Sequence, residues 1–193
     1  MKSDIIIRKG CTEDAQLLAN AVTMAIGGED AAVLYCGNDH ATILTEIAHA
    51  ERTQYSWQNA LIAEVDGIAA GAIIGYDGAQ LEELRSNPLS IIKKHTGDAP
   101  IMPDETETGE YYLDTLAVLS QFRGRGIASL LIKAFCSQAF AQGHKHIGLL
   151  VDYNNPHAEH LYTSLGFTYT DTRTFLGAPM KHLQLPNADK GKS

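Results

Sequence analysis

The centre of the chain reads LAVLSQFRGRGIA over residues 116–128. Its first residues end an apolar run that predicts a strand over residues 111–119. Beyond the glycines, apolar side chains recur at the i, i+3, i+4, i+7 and i+8 spacing of an amphipathic helix that ends near Gly143. These positions are Ile127, Leu130, Leu131, Ala134 and Phe135. The stretch therefore predicts a strand, a glycine-rich turn and a helix in succession.

The turn, residues 121–126, has the composition of an anion-binding loop. Gly124 and Gly126 carry no side chains, so backbone N–H groups can converge on phosphate oxygens, and the following helix N-terminus adds partial positive charge. Arg123 and Arg125 can add ionic contacts. The turn lacks the third glycine of a dinucleotide fingerprint and the Gly-Lys-Ser/Thr ending of a P-loop. A tight turn that only enters a helix fits the same residues, so the flanking sequence must decide.

Downstream of the helix, the pattern predicts a strand over His146–Asp152 and then a short helix. Asn155 is the expected N-cap of this helix, Pro156 its first residue, and Gly166 lies just past its end. The chain then closes with two strands and a polar tail, predicted at residues 167–174, 180–185 and 186–193.

The first half of the chain predicts a strand, two helices and a hairpin. Asp66-Gly67 is a dipeptide that supplies the two positive-φ residues of a tight hairpin turn. The segment that contains Gly27-Gly28 and Gly37-Asn38 has no assignment. The predicted elements are a strand at 5–9, a helix from Thr12, a helix at 41–51, and hairpin strands at 60–65 and 68–76.

Residues 77–109 are interpreted as an insertion beside the working site. Residues 80–85 and 90–95 have helical character, and Asn87-Pro88 predicts a break between them. Residues 98–110 predict a loop with five acidic residues and no Lys or Arg. Such a run is usually a solvated loop, but at this position it can also attract an ammonium group.

Composition restricts the class of protein. The 193 residues are 45% hydrophobic and 20% charged, which is typical of one soluble globular domain, predicted here over residues 1–185. The formal net charge of −8 argues against a nucleic-acid partner and is compatible with a cationic substrate. No signal peptide or membrane span is predicted, so a cytoplasmic location is expected. The cysteines and the pair His157 and His160 lack metal-site spacing, so no metal is expected.

Three features occur in order and at suitable spacing: the strand residues 116–118, the Gln-x-x-Gly-x-Gly turn, and a motif in the short helix. The motif is Asn155-x-x-Ala158-x-x-Leu161-Tyr162-x-x-Leu165-Gly166-Phe167. Together they resemble the GNAT superfamily of acyl-CoA-dependent N-acetyltransferases over residues 111–167, while upstream only the element order agrees. The resemblance implies an α/β fold with a mixed, centrally splayed sheet flanked by helices. The insertion departs from the minimal family pattern.

The resemblance also implies acetyl-CoA as co-substrate, with the backbone of Leu116 and Val118 holding the pantetheine arm and the Val118 N–H polarising the thioester carbonyl. Asn155 would contact the arm as well as cap its helix. Tyr162 would be the general acid that protonates the departing thiolate, although its apolar stripe fits core packing equally well. The implied acetyl-CoA-binding residues are Leu116, Ala117, Val118, Gln121, Phe122, Arg123, Gly124, Arg125, Gly126, Ile127, Ala128, Asn155 and Tyr162.

A general base is also required, because the attacking amine must lose a proton. Glu110, Tyr112 and Asp114 alternate along one strand and should face the same way. Glu110 lies seven residues before Ala117, where some relatives that acetylate protein N-termini carry a glutamate base. Asp114 is nearer the expected thioester. Glu110 also fits a solvated strand-end charge, Asp114 fits a structural hydrogen-bonding role, and a water relay remains open.

The resemblance implies direct acetyl transfer to the primary amine of a small molecule or peptide. No covalent enzyme intermediate is expected, because no cysteine falls at a matched position. Two alternatives are a non-catalytic acyl-CoA sensor, which would not use Tyr162, and a nucleotide-binding module of another kind. Whether the chain forms a homodimer is left open.

Overall fold

The computed structural model describes residues 4–175 and 177–188. The strands are β1 (Ile5–Lys9), β2 (Ala60–Val65), β3 (Ile68–Asp77), β4 (Glu110–Val118), β5 (His146–Asp152), β6 (Thr168–Phe175) and β7 (Ala178–Pro186). They form one seven-stranded sheet in the order β1-β2-β3-β4-β5-β7-β6. Neighbouring strands are antiparallel except β4 and β5, which are parallel.

Helices cover both faces of the sheet. They are α1 (Ala15–Ala25), α2 (Glu29–Cys36), α3 (His40–His49), α4 (Leu81–Thr96), α5 (Ile127–Ala141) and α6 (Pro156–Ser164). On one face Leu131 and Phe135 of α5 pack against strand residues such as Ile73. On the other face Leu18 of α1 and Ile43 of α3 pack against the same strands. The predicted α/β class, with helices flanking a mixed sheet, is confirmed.

The sheet opens between its two parallel strands. β4 and β5 pair only at Glu110 with His146, Tyr111 with Ile147, and Tyr112 with Gly148. Beyond these pairs the two strands separate, although each continues for several residues. This separation confirms the predicted central splay and leaves a gap in which backbone and side chains of both strands face open space.

The hairpin between β2 and β3 forms as predicted. Asp66 has φ of 52° and Gly67 has φ of 80°, the positive values that a two-residue turn of this type needs. The predicted strands at 5–9 and 146–152 are also confirmed with their bounds unchanged.

The segment without an assignment contains the helix α2. Gly28 precedes this helix with φ of 96°, and Gly37 follows it with φ of 87°. Two glycines in conformations that other residues rarely adopt thus mark its ends. With only eight residues, the helix is too short to show a clear apolar period in the sequence.

The predicted break at Asn87-Pro88 is wrong, because α4 runs through it without interruption. Proline has no N–H, so inside a helix it leaves the carbonyl four residues earlier without its usual donor. Here that carbonyl belongs to Leu84 and accepts a hydrogen bond of 3.1 Å from the backbone N–H of Gln54. A tertiary contact therefore replaces the missing helical hydrogen bond.

The interpretation of residues 98–110 as a solvated acidic loop is wrong at two positions. The segment has no helix or strand before Glu110, as expected, but Glu105 and Glu110 are each only 2% exposed. Arg85 of α4 lies beside the loop, donates to the backbone carbonyls of Met102 and Pro103, and pairs with the carboxylate of Glu105. The cation that pairs with Glu105 comes from another element, so the local sequence does not reveal it.

Two further predictions concern the chain termini and membranes. The predicted polar tail overlaps the last residue of β7, and its residues 189–193 lie outside the described part. Over residues 4–175 and 177–188, no single helix has the length and apolarity to cross a membrane; one sharply bent pair, 12–25 with 29–36, meets the length and composition criteria together.

Candidate active site

Two cavities meet beneath the opened sheet. The turn cavity, about 510 Å³, lies between the end of β4, the turn 121–126 and α6. The strand-gap cavity, about 540 Å³, lies between β4 and β5 and is closed by the α1–α2 connection and the β6–β7 hairpin. The residues that line both cavities are Met24, Leu116, Asn155, Ala158 and Tyr162. The two cavities are therefore adjacent, and Tyr162 is one of the residues at their junction.

Most of the predicted acetyl-CoA-binding residues line the turn cavity. They are Leu116, Ala117, Val118, Phe122, Arg123, Gly124, Gly126, Ile127, Ala128, Asn155 and Tyr162. Of the predicted set, Gln121 and Arg125 are not among the described lining residues. The Arg125 guanidinium lies over the Phe122 ring at 5.4 Å from its centroid, and the Arg123 Nε donates to the Val118 carbonyl at 3.0 Å. Arg123 thus braces the end of β4 as well as lining the cavity.

The turn has the geometry of an anion site. Gly124 and Gly126 have φ of 76° and 77°, and a Cβ at either position would meet nothing within 4 Å. Gly126 is the N-cap of α5, whose first backbone N–H groups have no intrahelical acceptor. Positive φ values that favour glycine, open space above the turn and a helix N-terminus together fit a pyrophosphate group.

Helix α6 brings Asn155 and Tyr162 to the junction. The Asn155 Oδ1 accepts from the Ala158 N–H at 3.1 Å, so the predicted cap is present, and Asn155 also lines both cavities. Tyr162 is buried and packs edge-on against Phe167 with ring centroids 5.7 Å apart. Core packing and a place in the cavity wall are thus compatible for this residue. Burial raises the pKa of the Tyr162 phenol above its ordinary value, so the phenol keeps its proton at neutral pH.

Asp114 projects from an irregularity in β4. Leu113 pairs with Gly75 and Thr115 with Ile74, so Asp114 is an additional residue opposite β3, as in a β-bulge. Its side chain lines the strand-gap cavity. Its oxygens lie 2.9 Å from the Thr115 hydroxyl and 3.0 Å from the Tyr76 hydroxyl. Burial foremost, and then the negative charge of Glu105, raise the pKa of Asp114 to about 7. A carboxyl group with this pKa can exchange protons at neutral pH.

Glu110 occupies a different environment. Its carboxylate accepts from the Thr106 hydroxyl at 2.8 Å and the Gln184 amide at 2.8 Å, and lies 2.7 Å from the His182 Nε2. Burial acts to raise its pKa, but these hydrogen bonds lower the pKa overall. The alternative interpretation of Glu110 as a solvated charge is therefore wrong. The carboxylate ties β4 to β7 above Gly148, and Glu110 is not among the described residues that line either cavity.

The strand-gap cavity has an acidic and aromatic wall. Its carboxylates belong to Glu105, Asp114 and Asp152, and no Lys or Arg is among its described lining residues. Its aromatic side chains are Tyr55, Tyr112, Tyr162 and Phe175. Sequence reasoning identified Asp114 and Tyr162 in this wall but missed Glu105 as a site residue. A carboxylate in an acidic loop gives no local signal that it is buried beside a cavity.

No group of three or more His, Cys, Asp or Glu side chains suited to a metal ion occurs in residues 4–175 and 177–188. His157 and His160 are both exposed on α6, as predicted. The cysteines Cys11, Cys36 and Cys136 are free thiols.

The chain resembles solved structures over nearly its whole length. A protein described as an acetyltransferase is 32% identical, with a TM-score of 0.77, over 94% of this chain and 98% of its own. An N-acetyltransferase from Staphylococcus aureus Mu50 is 25% identical, with a TM-score of 0.78, over 93% of this chain and 100% of its own. Arabidopsis thaliana Naa50, solved in complex with the bisubstrate analogue CoA-Ac-MVNAL, shares the fold at 19% identity and a TM-score of 0.55, over 95% of this chain and 99% of its own.

No curated protein matches the chain with significant similarity. The sequence model of the acetyltransferase (GNAT) family matches residues 35–167, well over half of the chain. This match includes β4, the turn, α5 and α6, which supply most of the residues that line the turn cavity. The chain therefore belongs to the GNAT family and is an N-acetyltransferase that takes the acetyl group from acetyl-CoA.

Proposed function

We propose that the enzyme transfers acetyl directly from acetyl-CoA in the turn cavity to a primary amine in the strand-gap cavity. The observation that carries this proposal is the shared wall of the two cavities, with Leu116 and Tyr162 at their junction. A thioester that enters from the turn and an amine that enters from the strand gap would meet there. Such a meeting allows attack without an acyl-enzyme intermediate.

Asp114 is the proposed general base and Tyr162 the proposed general acid. Asp114 lines the acceptor side and has a pKa near neutrality, so it can take a proton from the attacking nitrogen. Tyr162 lies at the junction and retains its proton, so it can protonate the departing thiolate. The backbone N–H of Val118 is the proposed donor to the thioester oxygen. Glu110, the other carboxylate considered, is held away from the cavity by its hydrogen bonds to β7 and Thr106.

The acceptor is proposed to be a cationic amine of a small molecule or a peptide. The three carboxylates and the aromatic rings of the cavity wall suit an ammonium group, which is attracted by both. Arabidopsis thaliana Naa50 carries a bisubstrate analogue that joins CoA to a peptide, which supports a peptide amine as one candidate. The volume of about 540 Å³ is also within the range of small-molecule pockets.

An acceptor screen tests the proposal. Purified enzyme would be mixed with acetyl-CoA and single amines, and CoA release would be measured beside acetyl-CoA binding by calorimetry. We expect Tyr162→Phe to bind acetyl-CoA normally and to lower kcat by about 100-fold, the lower end of general acid–base contributions. A sensor that does not use Tyr162 would show no amine-dependent CoA release and no effect of this substitution. Absence of acetyl-CoA binding by the wild-type enzyme would contradict the whole proposal.

A further inference from the structure

The hydroxyl group of Tyr76, near the end of β3, lies between two carboxylates. It is 3.1 Å from the Oε1 of Glu105 and 3.0 Å from the Oδ2 of Asp114. Tyr76 is only 1% exposed, and its ring packs edge-on against Tyr112 with centroids 5.9 Å apart. The phenol is therefore fixed in place and joins two carboxylates that both line the strand-gap cavity.

The number of available hydrogens decides which contacts of the Tyr76 hydroxyl are hydrogen bonds. A phenol has one hydrogen to donate, and an ionised carboxylate has none. When Asp114 and Glu105 are both ionised, one of the two contacts of Tyr76 therefore has no hydrogen. When one carboxyl group is protonated, both contacts become hydrogen bonds, because that carboxyl group donates to the phenol oxygen while the phenol donates to the other carboxylate. Both contacts of Tyr76 are therefore hydrogen bonds only when one of the two carboxyl groups is protonated.

Charged groups around this trio act from several elements. Arg85 of α4 pairs with the Oε2 of Glu105 and also with Asp104 at 2.8 Å. Burial raises the pKa of Glu105, and the charge of Arg85 opposes this shift. Titratable and charged groups that act on Asp114, or on which it acts, include Glu105, Arg85, Tyr76, Tyr112, Tyr55 and Tyr35. Asp152 and Tyr162 line the same cavity.

We propose that Tyr76 and Glu105 form a proton relay behind Asp114, which removes from Asp114 the proton that it takes from the acceptor amine. The inference rests on the proposed direct transfer with Asp114 as base. Asp114 then touches the reacting nitrogen, whereas Tyr76 and Glu105 are positioning residues that act through it. Tyr76 and Glu105 lie outside the family motif of residues 111–167.

The stoichiometry of acetyl transfer explains why a relay is useful. An ammonium acceptor loses two protons on its way to the amide: one before the nitrogen lone pair can attack, and one as the C–N bond forms. The first proton passes from the nitrogen to Asp114. It then passes from Asp114 to the Tyr76 oxygen, while the hydrogen of the Tyr76 hydroxyl passes to Glu105. Asp114 is again a carboxylate and takes the second proton. The C–S bond breaks, and the sulfur receives the hydrogen of Tyr162. Per turnover, one of the two protons replaces that hydrogen and the other leaves to solvent.

A titration that does not depend on activity tests the shared proton. Carboxyl ¹³C resonances of labelled Asp and Glu would be followed against pH, with Asp114 assigned from its absence in Asp114→Asn. We expect the Asp114 and Glu105 resonances to report the same pH transitions, because strongly coupled groups titrate as a pair. In Tyr76→Phe each of the two carboxyl groups should titrate by itself. In Glu105→Gln the titration midpoint of Asp114 should be lower than in the wild type. Independent transitions in the wild-type enzyme, or an unchanged Asp114 midpoint in Glu105→Gln, would overturn the relay.

A kinetic comparison tests the transfer itself. At about pH 8 ethylamine is protonated, as a lysine side chain is, whereas trifluoroethylamine of similar size is neutral and has only one proton to lose. Tyr76→Phe should lower kcat for ethylamine by about 100-fold and reduce the rate with trifluoroethylamine far less, with the acetyl-CoA KM unchanged. Equal losses for the two amines would overturn the relay.

Two further measurements separate the possible failures. Tyr111 is a buried tyrosine on the α5 face of the same sheet, and Tyr111→Phe is the matched control. Its kcat for both amines should equal that of the wild type. Thermal unfolding of Tyr76→Phe and Glu105→Gln shows whether each variant is folded. If the wild-type enzyme acetylates no amine, the proposed function fails, while the ¹³C titration still decides whether the two carboxyl groups share a proton.

Discussion

The two cavities differ in how their walls are assembled. The wall of the turn cavity comes mostly from residues 116–129 and 155–162, two short stretches of sequence. The wall of the strand-gap cavity draws on the α1–α2 connection, the loop before β4, β5 and the β6–β7 hairpin, segments far apart in the chain. A cavity whose wall comes from two short stretches can be encoded locally. A cavity whose wall comes from distant segments depends on tertiary contacts.

The sharpest test of this division is the removal of the proposed base in the strand-gap cavity. Asp114→Asn should lower kcat/KM for the amine by about 100- to 10,000-fold, because a positioned base contributes this much. The dissociation constant for acetyl-CoA should stay unchanged, since Asp114 lines the strand-gap cavity only. Steady-state kinetics and calorimetry on the same preparation measure both effects. A variant that keeps most of its activity would move the base elsewhere, to a bound water or another carboxylate.

The pH dependence of the reaction sharpens the same assignment. The pKa of Asp114 is raised to about 7, and the base is active only as the carboxylate. Below that value kcat/KM should therefore fall about tenfold per pH unit, and it should level off above it. Asp114→Asn should lose this acidic limb. A limb that persists in Asp114→Asn with the same midpoint would show that another group titrates.

On the other side of the comparison, Gly126→Ala should affect the co-substrate alone. Its φ of 77° disfavours a side chain by roughly 1–2 kcal/mol, and the added methyl group points into the space proposed for the phosphates. We expect about a tenfold weaker binding of acetyl-CoA, the equivalent of about 1.4 kcal/mol. Gly67→Ala in the β2–β3 turn is the matched control, with φ of 80° and equally open space. It should lose similar stability and bind acetyl-CoA normally; equal losses of binding in both variants would assign the effect to general destabilisation.

Glu110→Gln should have the smallest effect on catalysis and a clear effect on stability. We expect a loss of about 1–3 kcal/mol in the free energy of unfolding, because buried partners on β7 lose a charged acceptor. The fall in kcat should be much smaller than the fall that removal of a general base causes. The pKa of Glu110 is lowered in the fold, so its stabilisation is present above its unfolded pKa of about 4.3 and is lost as the pH falls. The difference from wild type should therefore shrink in acid.

Chemical denaturation at several pH values measures this difference. Glu82→Gln, an exposed carboxylate on α4, serves as the control and should change the unfolding free energy by less than about 0.5 kcal/mol. A large fall in kcat for Glu110→Gln, with stability unchanged, would reverse the roles assigned to Glu110 and Asp114.

The same division decides what the sequence can predict. The strand, turn and helix around Gly124 follow from local periodicity and glycine positions, and so does the cap at Asn155. The burial of Glu105 and Glu110 does not, because their partners Arg85 and His182 lie 20 and 72 residues away. Alternation along the strand predicts that Glu110 and Asp114 face the same way. It could not show that one carboxylate is tied to β7 while the other opens to a cavity.

Proline is usually regarded as a residue that removes interactions. In α4, the absence of an N–H at Pro88 leaves the Leu84 carbonyl free for Gln54, and Gln54 directly precedes Tyr55, which lines the strand-gap cavity. The residue without a donor thus specifies where another segment attaches. A missing hydrogen, rather than an added side chain, helps to fix one edge of the strand-gap cavity to the helix that carries Arg85.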